Sequence, residues 1–79
     1  KMNDQIFDAI REALANADES SWTQELHIQV IKYADSLADV TGKEFCEAVQ
    51  IKDSYFAEFN KMKKIATRLI AAGLDVSRL

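Results

Sequence analysis

Apolar residues return at steps of three and four in three stretches, Ile6 to Leu14, Leu26 to Leu37 and Tyr55 to Ile70, and no proline interrupts any of them. That rhythm is the period of an α-helix rather than the alternation of a strand. Glycine occurs only at positions 42 and 73, too rarely to serve the turns of a sheet-rich fold. The expected fold is therefore all-α: a compact bundle of four helices around one core, with room for a short fifth turn at the end. Seventy-nine residues make one domain, expected to run over 2–79, with Lys1 reading as an extension ahead of a start at Met2. A domain of this size buries only about 60–65% of its unfolded-chain surface, so it depends on tight packing or on a partner.

The first helix is expected over 4–15, with Ile6, Phe7, Ile10, Ala13 and Leu14 on one face and Asn3 as its N-cap. Asp4, Asp8 and Glu12 make an acidic row on another face, either a solvated surface or a contact for a cation or a basic partner. Residues 16–21 read as a loop. Ser21 and Gln24 have the spacing of a capping box, opening a second helix from Trp22 to Ala38 or Val40. Leu26, Val30, Tyr33, Ala34 and Leu37 would line its buried face, with Trp22 and Ile28 off the stripe. His27 reads as a boundary histidine without a sequence neighbour to work with. Thr41 and Glu44 form another capping box, starting a short third helix at Gly42 that stops near Gln50. Asp53 and Ser54 offer a cap for a fourth helix, Ser54 to Ala72, closed by Gly73. Its apolar stripe is broader than one amphipathic face requires, which implies burial on two sides, inside the bundle or at a dimer contact.

The net charge of −3 gives no general support for nucleic-acid binding, but its distribution is uneven. Residues 1–41 hold three basic and eight acidic side chains, a net of −5; residues 42–79 hold seven and five, a net of +2. Lys61, Lys63, Lys64 and Arg68 are the densest positive run. Lys61, Lys64 and Arg68 share a helix face, either a solvated basic surface or a track for a phosphate backbone. A single cysteine, Cys46, cannot form an internal disulfide, and the first residues lack the pattern of a secretory leader, so a cytoplasmic location is expected. No membrane contact, metal or cofactor is expected: no apolar run is long enough to span, and no Cys/His cluster or phosphate-binding loop is present. No nucleophile lies beside a base, which argues against an enzyme.

The stretch 41–61 carries the most specific spacing. Two helices joined by a tight turn need a small residue where they cross, and Cys46 fits. Phe45 precedes it and Val49 follows three residues later, both apolar. Gln50 stands at the turn, with apolar Ile51 after it, and Phe56 and Phe59 follow Cys46 by ten and thirteen positions. In these residues the chain resembles the repressor-type helix-turn-helix family, which usually has glycine where this sequence has Gln50. A left-handed glutamine there costs about 1 kcal/mol, unless the turn is reshaped.

The resemblance implies that Phe56 and Phe59 are buried, and that the second motif helix and its approach face double-stranded DNA through Lys52, Asp53, Ser54, Ala57, Glu58 and Lys61. Tyr55 falls on the border of the packed face. Lys43 is placed for a phosphate, with Lys64 and Arg68 continuing the basic track. Ser54 can bond a base edge, and the Ala57 methyl can meet a thymine methyl. Glu58 could accept from a cytosine amino group, although an acid weakens phosphate attraction; Asp53 is most simply a helix cap. Such regulators usually act as homodimers, with the broad fourth-helix stripe, Trp22 and the tail as candidate contacts. The alternative is a helical protein-interaction module, an adaptor or antitoxin-like partner, that keeps the shape without reading DNA.

Overall fold

Four α-helices follow one another in the computed structural model, which describes residues 2–79: α1 (Met2–Asn16), α2 (Trp22–Lys32), α3 (Gly42–Val49) and α4 (Phe56–Ala71). Short 3₁₀ turns lie at Glu19–Ser21, Asp53–Tyr55 and Val76–Arg78, the last being the short fifth turn at the chain end. Among the described residues there is no strand. Lys1, and with it the reading of an extension, lies outside the described residues.

The core takes members from each of the four α-helices. Ile10 and Leu14 come from α1, Leu26 and Val30 from α2, Phe45, Cys46 and Val49 from α3, and Phe59 from α4. Leu37 and Val40 enter from the α2–α3 connection. The Phe45 and Phe59 rings stack with centroids 4.3 Å apart, so the two largest buried side chains join α3 to α4. α4 lies against both α2 and α3, while α1 closes the other side of α2 and α3. Arg11 on α1 donates to the Ala48 carbonyl in the last turn of α3, where a cation suits the negative end of the helix.

Several boundaries differ from the sequence expectation. α1 already includes Met2, so Asn3 lies inside the helix rather than capping it. Ser21 precedes α2 but makes no capping bond; its hydroxyl donates back to the Asp18 carbonyl within the 3₁₀ turn. α2 stops at Lys32, six residues short of Ala38. Residues 33–39 form overlapping turns, with Leu37 N–H reaching both Tyr33 and Ala34 carbonyls. Asp35, Ser36 and Asp39 are weak helix formers, and the Leu37 and Val40 carbonyls find another partner. That partner is Lys63 of α4, whose Nζ donates to both at 3.2 and 3.1 Å and lies 4.5 Å from the centre of the Phe59 ring.

The start of α3 follows the sequence closely. Thr41 Oγ1 accepts from Glu44 N–H at 3.1 Å, and Glu44 Oε1 accepts from Thr41 N–H at 2.9 Å, completing the capping box. Gly42 is buried against α4: a Cβ there would stand 2.8 Å from Phe56 Cβ and 3.3 Å from Phe56 Cα. Glycine is required at this position by space, since any side chain would wedge the two helices apart.

Candidate nucleic-acid interface

The turn between α3 and α4 keeps the tight course despite its glutamine. Gln50 adopts φ 64° and ψ 48°, the left-handed conformation, and is the non-glycine residue that does so among those described. Two backbone bonds close the helix end, from Gln50 N–H to the Glu47 carbonyl at 3.3 Å and from Ile51 N–H to the Cys46 carbonyl at 3.0 Å. Ile51 then packs on the core. Cys46 is fully buried at the crossing, and its Sγ donates to the Asp53 carbonyl at 3.8 Å. Burial, and secondarily the Asp53 charge, push the Cys46 thiol above its ordinary pKa, which keeps it protonated and unreactive.

The approach to α4 is rebuilt as a 3₁₀ turn, Asp53–Tyr55, so α4 begins at Phe56, two residues later than Ser54. Asp53 makes no side-chain capping bond at either helix start. Lys52 and Ser54 are exposed on this turn, and Lys43 is exposed in the first turn of α3. Tyr55 is half-buried, its ring 5.2 Å from that of Trp22 and tilted by 58°. Trp22 is thereby absorbed into the packing of α2 on the turn. Phe59 is 1% exposed and anchors α4, but Phe56 is 53% exposed. The resemblance misplaced Phe56: the start of α4 runs so close to Gly42 that no room remains for a phenyl ring between the helices.

Along α4 the side chains sort by helical angle. Phe59 and Ala66 point into the core. Lys61, Lys64 and Arg68, at steps of three and four, lie on the opposite side and are all exposed, with half-buried Ala57 continuing their row towards the turn. Glu58 leaves this row. Its Oε1 accepts from His27 Nε2 on α2 at 2.7 Å, and both side chains are about a third exposed or less. The one acid expected on the outer face of α4 is therefore drawn sideways onto α2. Lys63, by contrast, leaves the basic run altogether for the carbonyls of Leu37 and Val40.

Two residues important here escaped sequence reasoning. His27 meets Glu58 across 31 positions, and no local signal announces such a pair. Lys63 did carry a signal: it sits four residues after Phe59 and three before Ala66, in the middle of the buried stripe. The acidic row on α1 remains a surface, with Asp8 paired to Arg11. Among the described residues no group of three or more metal-binding side chains comes together, and no helix is long and apolar enough to cross a membrane. A surface depression of about 540 Å³ lies between residues 34–38 and α4, and the polar side chains lining it are Asp35, Asn60, Lys63, Lys64 and Thr67.

No curated protein and no solved structure matches the chain. The sequence model of a family described as an HTH-like domain does match, over residues 2–72, which spans all four helices and extends well beyond the motif at 41–61. The chain is a member of the HTH-like domain family.

Proposed function

We propose that this domain binds double-stranded DNA, with the turn at 52–55 and the first turns of α4 entering the major groove, and that it serves as a transcriptional regulator or its DNA-binding module. The observation that carries this reading is the outer face of α4. Lys61, Lys64 and Arg68 stand exposed in one row, while Glu58, the acid that would oppose phosphate there, is held by His27. Ser54 and Lys52 lie at the leading edge for base and phosphate contacts, and Lys43 approaches a phosphate from the start of α3. Ala57 is in line for a thymine methyl, and Tyr55, held on Trp22, sets the height of the turn above the groove. A homodimer placing two such helices in successive major grooves, about 34–36 Å apart, would read a palindromic site. A cytoplasmic location suits the free thiol of Cys46.

Duplex binding measured by fluorescence anisotropy over a salt series tests this. Affinity is expected to fall steeply with salt, and Lys61→Ala with Lys64→Ala should lower the log–log slope by about 2, one unit for each phosphate that is no longer neutralised. Absence of any duplex binding at low salt would sink the proposal.

A further inference from the structure

The far half of α4 carries an apolar ridge that the bundle leaves uncovered. Ile65 is 44% and Leu69 39% exposed. With exposed Ala72 they follow a spacing of four and three along the helix, a straight line about 10 Å long. A shallow depression of about 340 Å³ runs beside it, lined by Lys64, Ile65, Arg68, Leu69 and Ala72. This is the seam spacing by which one helix receives the side chains of another. If Ile65 and Ala72 are taken as d positions and Leu69 as a, then Lys61 and Arg68 fall at g, flanking the seam. The e positions on the other flank are Phe59, Ala66 and Gly73, without charge; Phe59 and Ala66 are buried in the bundle itself.

We propose that this ridge docks an acidic amphipathic helix of a partner protein, with aliphatic side chains on Ile65, Leu69 and Ala72 and carboxylates opposite Lys61 and Arg68. Charge selects this occupant over a second copy of α4. A parallel copy would set Lys61 and Arg68 against Phe59, Ala66 and Gly73, which supply no acid. An antiparallel copy would set them against themselves, and like charges repel. A phosphate backbone uses the cations but gains nothing from the ridge. A bilayer wants a longer apolar face with aromatic anchors, and this one has two large aliphatic residues. The surface does not depend on DNA binding, but it shares Lys61, Lys64 and Arg68 with the proposed phosphate track, so the two partners would compete.

The test uses two synthetic helical peptides that carry leucines at a and d. One has glutamates at the flanking positions and the other has lysines. Titrated into the domain at low salt and followed by amide NMR, the glutamate peptide should shift resonances clustered over residues 61–72 and saturate below about 1 mM. Leu69→Glu should weaken it about tenfold or more, and Arg68→Glu should weaken it while strengthening the lysine peptide. Both residues are exposed, so unchanged circular dichroism distinguishes impaired docking from impaired folding. The proposal is overturned if no saturable shifts appear, if they fall elsewhere, or if both peptides bind the native domain alike. It is overturned equally if anionic lipid vesicles, rather than the glutamate peptide, bind in a Leu69-dependent way.

Discussion

The ends of α3 and α4 close with the same hydrogen-bond pattern but with different residues. At α3, Gln50 is left-handed, with N–H bonds from Gln50 to Glu47 and from Ile51 to Cys46. At α4, Gly73 has φ 113°, with bonds from Gly73 to Ile70 at 3.0 Å and from Leu74 to Leu69 at 3.0 Å. The two ends differ in surroundings. A side chain on Gly73 would meet nothing within 4 Å, whereas the Gln50 turn is pinned between buried Val49 and Cys46 on one side and core-packed Ile51 on the other. A strained conformation persists where its neighbours over-determine it. The open end has no such neighbours, so glycine itself must make the turn easy. The connection after α2 shows a third solution, in which a lysine from another helix donates to the Leu37 and Val40 carbonyls and no left-handed residue is used.

Prising α3 from α4 is the most severe challenge to this picture. Gly42→Val places a branched side chain where Phe56 Cβ would stand only 2.8 Å away. Overpacking of this kind should cost about 3 kcal/mol, a large part of the stability of a small domain, as read from urea midpoints. A loss below about 1 kcal/mol would mean that α4 moves aside freely and cannot be what holds the turn. Next in size is Lys63→Met, which keeps the packing over Phe59 but strands the Val40 carbonyl and leaves the Leu37 carbonyl with its bond from Val40 N–H alone. The expected loss is about 2 kcal/mol, with the largest rise in amide exchange at residues 37–40. Unchanged exchange there would show that water replaces the ammonium without cost.

These contrasts also mark what could be read in advance. The helices, the Thr41–Glu44 box, the crossing at Cys46 and the burial of Phe45, Val49 and Phe59 were legible, because each is a local pattern of spacing or capping chemistry. The ends were less so. Ser21 and Asp53 have capping side chains, but each helix they precede is entered through a 3₁₀ turn that removes the capping geometry. Phe56 matched a buried motif position, and only the close approach of Gly42 shows why it cannot be filled. In the candidate interface, Lys43, Lys52, Ser54, Lys61, Lys64 and Arg68 are exposed as surface positions on a helix and its approach should be. Glu58 could not be placed from the sequence, because its partner His27 belongs to another helix.

The smallest effects, of opposite sign, come from exchanging the residues at the two ends. Gln50→Gly removes a left-handed penalty of about 1–2 kcal/mol but loosens the unfolded chain by about 0.4–1 kcal/mol, leaving a gain near 1 kcal/mol. Gly73→Ala runs the same arithmetic in reverse, and its loss should fall mainly on the tail. Because a side chain at Gly73 would meet nothing, and the tail beyond it touches α2 without joining the core, the chain can relieve the strain by releasing residues 74–79, so amide protection should drop there while the urea midpoint moves little. The turn at Gln50 has no such escape: Ile51 is held by the core, and the whole gain should appear in global unfolding. If instead Gln50→Gly left the midpoint unchanged and Gly73→Ala lowered stability by about 1 kcal/mol or more, the assignment would be inverted. The end of α4 would then be the one built into the cooperative unit, and the turn of the helix-turn-helix would be the one free to rearrange.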